Sequence, residues 1–257
     1  MSYKQTFINI HSVMGDYDKA GLKYKIPVML GINTFGNNEY ADFTELKSIL
    51  MGGTTGSGKS VFAHSLICSL LMRFSPNELK ILLIDMKRVE FSIYNGLPYL
   101  LTDCIVDSDV AVKWLGKILE EKKNSKAIQP FTLIVIDTNS DIMFSNYAKE
   151  FSELVNHIAN EGLDLGIYIV MYDSRVGSEV FPPSFLKNFK THICFNTSTK
   201  EASQLLINSD DGINLLGSGD MLLKTGSEEL KRIQSPNITE NEITSIVSSV
   251  KNIKLNS

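Results

Sequence analysis

The chain has 257 residues, of which 43% are hydrophobic and 21% charged, and its formal net charge is −4 at pH 7. This length and balance allow one large α/β domain with a well-buried core, and the negative charge argues against a generally basic nucleic-acid-binding protein. No apolar run approaches the roughly 18–20 residues that span a bilayer, and the three cysteines form no C-x-x-C pair. We therefore expect a cytoplasmic protein without membrane contact through this chain.

The first predicted strand is Val28 to Leu30, and a turn-rich stretch from Gly31 to Asn38 follows it. We assign residues 1–25 to an N-terminal extension and residues 26–257 to a single domain. A short apolar run from Ser48 to Met51 is typical of a buried strand. That run leads directly into the most informative motif of the chain.

The motif is a complete G-x-x-x-x-G-K-S sequence between the apolar run and a predicted helix from Val61 to Met72. A strand before and a helix after are the context that a phosphate-binding loop requires. Its glycines let backbone N–H groups turn toward phosphate oxygens, and the helix start adds unpaired donors. We expect Lys59 to reach the β- and γ-phosphates and the Ser60 hydroxyl to bind Mg²⁺. The residues predicted to bind ATP are Gly53, Thr54, Thr55, Gly56, Ser57, Gly58, Lys59, Ser60 and Val61.

Apolar strands and amphipathic helices alternate along the rest of the chain. The predicted strands are Leu79 to Asp85, Phe131 to Asp137, Gly166 to Tyr172 and His192 to Phe195, and the longest helices between them are Asp107 to Lys123 and Tyr147 to Glu161. This order predicts a mostly parallel sheet with helices on both faces, whose ligands lie beyond the carboxyl ends of the strands. Met221 to Lys224 and Leu230 to Gln234 predict a small C-terminal hairpin, and Ser198 and Thr239 are predicted to cap helices.

Three aspartates end or follow predicted strands, namely Asp85, Asp137 and Asp173. All three are therefore expected to point toward the phosphates. Asp137 ends the most apolar of these strands and is predicted to hold Mg²⁺ through water, with Asp85 as the competing candidate. Hydrolysis also needs a residue that orients water and a cation that meets the charge on the γ-phosphate. The residue after Asp137 is Thr138, which is no general base.

Five segments in chain order carry a pattern that is more specific than the glycine loop alone. They are Ile26 to Gly31, Gly52 to Ser60, Ile84 to Glu90, Tyr94 to Leu100 and Leu215 to Leu222. Together they resemble the motor domain of FtsK/SpoIIIE-type DNA translocases, over nearly the whole chain. The resemblance implies a RecA-like P-loop domain at residues 26–257, a hexameric ring around duplex DNA, and ATP-driven translocation. It also places Lys187 and Lys190 where they could contact DNA phosphates, although both equally fit solvated loop charges.

The sequence departs from the family at positions that serve hydrolysis. The family has an Asp-Glu pair where this chain has Asp137-Thr138, and the segment around Leu163 and the position of Gln204 lack family arginines. An arginine finger is worth about 10³–10⁵ in rate, so weak intrinsic turnover is expected. As a replacement, Asp173 could approach the attacking water and Arg175 could supply the cation. The simpler interpretation is that both are ordinary polar loop residues.

The sequence leaves three functions open. The first is a subunit of an ATP-driven DNA translocation or transfer motor with impaired or altered hydrolysis, in a homo-oligomeric or mixed ring. The second is a non-hydrolysing nucleotide-binding regulatory module in a mixed ring, which Thr138, Leu163 and Gln204 favour. The third is a type VII secretion-like ATPase, although the segment Ile84 to Leu100 is more similar to the DNA translocases. A small-molecule kinase is the least supported, because the sequence has no lid or acceptor-binding signature.

Overall fold

The structure is a computed structural model that describes residues 23–125, 128–138 and 141–251. The strands are β1 (Pro27–Asn33), β2 (Asn38–Asp42), β3 (Ser48–Gly52), β4 (Leu79–Asp85), β5 (Phe131–Asp137), β6 (Ile167–Asp173), β7 (Thr191–Phe195), β8 (Asp220–Thr225) and β9 (Lys231–Gln234). The helices are α1 (Phe43–Leu46), α2 (Lys59–Leu71), α3 (Ser108–Ser125), α4 (Ala148–Glu161), α5 (Pro183–Asn188), α6 (Lys200–Ile207) and α7 (Glu240–Val250). None of these helices is long and apolar enough to cross a bilayer.

The strands form one nine-stranded sheet in the order β2-β1-β9-β8-β7-β3-β6-β5-β4. The five strands from β7 to β4 in this order pair in parallel. Every residue of β5 and β6 is buried, because helices cover both faces of the parallel part. The predicted mostly parallel α/β fold is confirmed, and β6 lies between the glycine-loop strand β3 and β5.

Side chains alternate between two apolar cores, one on each face of the sheet. Ile49 and Met51 of β3 pack in the core beneath α2 and α7, while Leu50 packs in the core beneath α3 and α4. This alternation follows from the two-residue period of a strand. The α2 helix is apolar on most of its surface and is buried accordingly. Packing on most of its surface therefore fixes α2 directly after the glycine loop.

The predicted C-terminal hairpin of β8 and β9 is present. The sequence did not indicate that both of its strands also pair with other strands of the sheet. β8 pairs antiparallel with β7, and β9 pairs antiparallel with β1, which in turn pairs with β2. The prediction that Gly31 to Asn38 forms a turn was wrong at its ends, because Gly31 to Asn33 continue β1 and Asn38 begins β2. Ile32 and Asn33 pair with residues of β9, about two hundred residues later in the chain. Local sequence does not reveal a pairing between such distant segments.

The two predicted helix caps had different outcomes. Thr239 and Glu242 form the predicted capping box at the start of α7. The prediction that Ser198 caps the next helix was wrong by one residue. Thr199 has the extended backbone of a cap, and its hydroxyl accepts a hydrogen bond from the N–H of Ala202 at 3.2 Å.

Candidate functional site

The carboxyl ends of the parallel strands meet at one edge of the sheet. Gly52, which leads into the glycine loop, pairs with Asp173 of β6, and Asp85 of β4 pairs with Asp137 of β5. The three aspartates therefore lie at this edge, as the strand order predicts, and all three are almost fully buried. Ligands of open α/β sheets bind at this edge.

Backbone contacts from two other loops hold the glycine loop in place. Thr54 donates its N–H to the carbonyl of Asn196 at 2.7 Å, and Ser57 accepts at its carbonyl the N–H of Gly219 at 2.8 Å. Gly58 has φ 116°, and a Cβ there would lie 2.5 Å from the Gly219 nitrogen. Only glycine fits at position 58. No described side chain caps α2, so its first N–H groups are available to an anion.

The Lys59 side chain bends back across the mouth of the glycine loop. Its ammonium donates hydrogen bonds to the carbonyls of Gly53 at 2.7 Å and Thr54 at 2.8 Å. Burial, together with the nearby ammonium of Lys87, lowers the pKa of Lys59 to about 8. A buried amine beside a second cation is stabilised by an incoming anion, which fits a phosphate-binding role.

A cavity of about 750 Å³ opens above the glycine loop, a volume within the usual range for small-molecule sites. Its lining residues are Thr55, Gly56, Gly58, Lys59, Ser60, Val61, Lys87, Val89, Glu90, Ser174, Ser218, Gly219, Gln234, Ser235, Pro236 and Asn237. Six of the nine predicted ATP-binding residues are among them. The other three, Gly53, Thr54 and Ser57, are not in the cavity lining. Thr54 and Ser57 make the backbone contacts that hold the loop, and the carbonyl of Gly53 accepts a hydrogen bond from the Lys59 ammonium.

Asp137 is fully buried and is paired with a lysine that the sequence analysis did not assign to the site. Lys87 Nζ lies 3.0 Å from Oδ1 and 3.2 Å from Oδ2 of Asp137. Burial raises the pKa of Asp137 to about 6, although the Lys87 ammonium opposes this increase. The predicted metal carboxylate is therefore accompanied by a cation.

Asp85, the competing metal candidate, anchors the loop that follows it. Its Oδ1 accepts the N–H groups of Lys87 at 3.1 Å and Arg88 at 3.0 Å. Its Oδ2 accepts those of Glu90 at 2.7 Å and Phe91 at 3.3 Å. With both oxygens engaged by backbone donors, Asp85 fits a loop anchor better than a metal ligand.

Glu90 is a second residue that the sequence analysis left without a role. Its Oε1 accepts a hydrogen bond from the Ser60 hydroxyl at 2.9 Å, and its Oε2 lies 3.6 Å from Nε2 of His64. The contacts with His64 and Ser60 lower the pKa of Glu90 in spite of partial burial. The family-like segment Ile84 to Glu90 contained the signal, but the sequence alone does not bring Glu90 to the glycine loop.

The predicted replacements for the missing glutamate lie at the end of β6. Thr138 donates its hydroxyl to Oδ2 of Asp173, and the Arg175 N–H donates to Oδ1 of Asp173 at 2.7 Å. Asp173 is fully buried, whereas the Arg175 side chain is exposed. Asp173 also interacts with the Lys59 charge, so it is close to the phosphate site.

Lys187 and Lys190, the predicted DNA contacts, lie away from the phosphate site. Lys187 is at the end of α5, and Lys190 directly precedes β7, at the opposite edge of the parallel strands. Both are exposed and line a second cavity of about 510 Å³ together with Lys224.

The donors around the glycine loop fit a magnesium ion carried by a nucleotide. Within the described ranges, no three His, Cys, Asp or Glu side chains are grouped as a self-contained metal site. Mg²⁺ commonly uses one or two protein oxygens with phosphate and water oxygens, so it does not need such a group. Ser60 and Glu90 line the cavity, and Asp137 ends β5 at the same edge of the sheet, so all three offer oxygen atoms to such an ion.

Comparison with known proteins identifies the family. The FtsK/SpoIIIE family model matches residues 22–160, more than half of the chain. The chain belongs to the FtsK/SpoIIIE family. Curated relatives of this FtsK/SpoIIIE chain include the DNA translocases FtsK of Helicobacter pylori strain J99, 32% identical over 250 residues, and of Chlamydia pneumoniae, 30% identical over 248 residues. The alignments cover 88% and 84% of this chain but only 30% and 31% of those relatives.

Solved structures with the same fold come from secretion and conjugation systems. The cytoplasmic domain of the type VII secretion ATPase EccC from Thermomonospora curvata has a TM-score of 0.80 at 18% identity, covering 96% of this chain and 35% of that one. The pCW3 conjugation coupling protein TcpA, in its monomer form with ATPγS, has a TM-score of 0.74 at 21% identity, covering 90% and 72%. At these identities the similarity establishes the fold of this FtsK/SpoIIIE chain and leaves its substrate open.

Proposed function

We propose that this FtsK/SpoIIIE family chain binds MgATP in the cavity above the glycine loop and acts as a subunit of an ATP-driven DNA translocation or transfer motor. The main support is one arrangement: a glycine loop, the buried Lys59 and the Ser60 hydroxyl line the same cavity, and Asp137 ends β5, which is separated from the glycine-loop strand β3 by β6 alone. These are the parts that position phosphates and their metal ion in P-loop ATPases.

In this proposal the loop amides and the start of α2 bind the β- and γ-phosphates. Lys59 exchanges the carbonyls of Gly53 and Thr54 for phosphate oxygens, which stabilise the charged form of its buried amine. Ser60 and Asp137 are the predicted magnesium-binding residues. When bound, the ion neutralises charge on the phosphates.

We further propose that intrinsic hydrolysis is weak. Thr138 stands where the family has a glutamate, and its hydroxyl is a donor to Asp173. Asp173 is the predicted residue that orients the attacking water, and the exposed Arg175 is the predicted cation, acting in its own subunit or in a neighbouring one. Without a glutamate and an arginine finger, a P-loop site loses several orders of magnitude in rate.

The partners are proposed from the relatives. The curated relatives described above are named DNA translocases, and one structural neighbour is a conjugation coupling protein. We therefore propose duplex DNA as the substrate polymer and a hexameric or mixed ring as the assembly. Lys187 and Lys190 are proposed DNA contacts, on the edge of the sheet opposite the ATP cavity.

A nucleotide-gated module that binds ATP without useful turnover is the second candidate. The specific support is the Thr138–Asp173 hydrogen bond, because it engages the carboxylate that would otherwise orient water. A type VII secretion-like ATPase is the third, supported by the fold it shares with EccC. The DNA motor ranks first because two relatives with 30% and 32% identity are named DNA translocases.

A titration with MgATP tests the nucleotide-binding part of this proposal. The wild-type chain is expected to bind, and Lys59→Ala to lose at least about tenfold in affinity, because the buried charge that faces the phosphates is removed. Lys123→Ala, at an exposed position near the end of α3, is the matched control and should bind like wild type. Absence of binding by the wild-type chain would contradict all three candidate functions.

A further inference from the structure

The loop at residues 86–91, called the 86–91 loop below, projects two side chains into the phosphate site. The carboxylate of Asp85 fixes its path through four backbone N–H groups. The N–H of Met86 also donates to the carbonyl of Asp137 at 3.2 Å, which ties the loop to the end of β5. Lys87 and Glu90 are therefore held on a defined backbone, one facing Asp137 and the other facing Ser60.

Glu90 is fixed on both sides of its carboxylate. One oxygen accepts the Ser60 hydroxyl at 2.9 Å, and the other faces the imidazole of His64 at 3.6 Å. His64 is held in turn by a 2.8 Å hydrogen bond between its Nδ1 and the hydroxyl of the buried Tyr94. The Glu90 side chain is 25% exposed and lines the cavity. Contacts within the protein thus hold its carboxylate at the phosphate site.

The distance between Ser60 and Glu90 matches the spacing of ligands around magnesium. Mg²⁺ binds six oxygens at about 2.0–2.1 Å in octahedral geometry, so two adjacent ligands are about 2.9 Å apart. Ser60 Oγ and Glu90 Oε1 are 2.9 Å apart. An ion that binds the Ser60 hydroxyl can therefore also bind Glu90 without a change in the distance between these two oxygens.

The other carboxylates at this edge are engaged by different groups. Asp85 accepts backbone N–H groups of its own loop, and both oxygens of Asp137 face the ammonium of Lys87. Asp173 accepts the hydroxyl of Thr138 and a backbone N–H. Glu90 is the carboxylate whose contact is with the predicted magnesium ligand itself. We propose that Glu90 is a direct ligand of the divalent ion beside Ser60, with Asp137 acting on the same ion through water. This assignment rests on the proposed MgATP function.

Manganese binding followed by electron paramagnetic resonance tests this proposal without a measurement of activity. The full chain is saturated with ATPγS and titrated with Mn²⁺. Glu90→Gln is expected to raise the dissociation constant for Mn²⁺ by about 10- to 100-fold. Affinity for ATPγS in the presence of EDTA should stay within about twofold, because only the metal ligand is lost. Glu45→Gln, at an exposed position on α1, is the control and should leave both constants unchanged.

The glutamine variant separates a metal ligand from a structural partner. Glutamine keeps the length of the side chain and can still accept the Ser60 hydrogen bond, so a purely structural role would leave Mn²⁺ binding unchanged. Unchanged binding in Glu90→Gln overturns the proposal. If that variant does not fold, Glu90→Asp shortens the carboxylate by one methylene, and unchanged Mn²⁺ binding there overturns it equally. If the wild-type chain binds no ATPγS, the nucleotide titration shows this separately from Mn²⁺ binding. That result contradicts the proposed function itself.

Discussion

Lys87 and Asp137 form an ion pair in which the Asp137 side chain is fully buried and the Lys87 side chain is 24% exposed, with the nitrogen 3.0 Å from Oδ1. The pair joins the 86–91 loop to the end of β5. A buried charge that loses its partner is costly because water cannot replace the lost interaction. The position of this loop and the charge of the predicted metal carboxylate are therefore coupled.

Removal of this lysine should destabilise the nucleotide-free chain. Lys87→Met is expected to lower the free energy of unfolding by about 2 kcal/mol, less than a fully buried pair because Lys87 is partly solvated. Urea denaturation measures the change. Lys113→Met removes an exposed helix-surface pair with Asp109 and should cost less than about 0.5 kcal/mol. Equal losses in the two variants would contradict the coupling.

The anchoring role of Asp85 predicts a local effect on the 86–91 loop. In Asp85→Asn the amide nitrogen would face backbone N–H donors, so at least two of the four hydrogen bonds should be lost. Hydrogen exchange should show faster exchange at the amides of Lys87, Arg88, Glu90 and Phe91, and unchanged rates in β3.

Asp103→Asn is the control for this experiment. Asp103 accepts a single N–H, from Gly96 at 3.1 Å, at an exposed position. This change should leave the exchange of the 86–91 loop as in wild type. If the amides of the 86–91 loop exchange as in wild type in Asp85→Asn, Asp85 does not anchor this loop.

Local patterns in the sequence were sufficient for the parallel part of the sheet. The strands β3 to β7 are apolar runs with turn residues at their ends, and the glycine loop fixes which edge holds the phosphates. The pairing of β1 with β9 was not predictable, because it joins residues at opposite ends of the chain. The same holds for Lys87 and Glu90, since the path of their loop depends on hydrogen bonds to Asp85 that composition does not reveal.

The lowered pKa of Lys59 predicts proton uptake on nucleotide binding. In the nucleotide-free chain this pKa falls from 10.5 to about 8, so the amine is largely neutral at about pH 9. Phosphate favours the charged form, so binding should take up as much as one proton at that pH, and affinity should fall as the pH rises above 8. Titration calorimetry with MgATP in buffers of different ionisation enthalpy measures this uptake.

The reference condition for this experiment is about pH 7, where Lys59 is already charged in both states and contributes no uptake. Zero uptake at about pH 9 would show that Lys59 keeps its proton without nucleotide, contrary to the effect of burial beside Lys87.

Substitution of Asp173 by asparagine tests its proposed role in hydrolysis. Asp173→Asn keeps the size of the side chain but removes its charge, and it should lower single-turnover ATP hydrolysis by about 10²-fold if Asp173 orients the attacking water. MgATP affinity should change much less. Asp164→Asn, at an exposed position, is the control. Hydrolysis that is unaffected in Asp173→Asn would contradict this role of Asp173.

The most direct test of the proposed motor is steady-state ATP turnover with and without duplex DNA. We expect slow turnover by the chain alone, clear stimulation by duplex DNA, and loss of both in Lys59→Ala. Turnover that duplex DNA does not change, or that survives Lys59→Ala, would contradict a DNA motor that uses this site. MgATP binding without turnover under either condition would instead favour the nucleotide-gated module, with Thr138 as the reason.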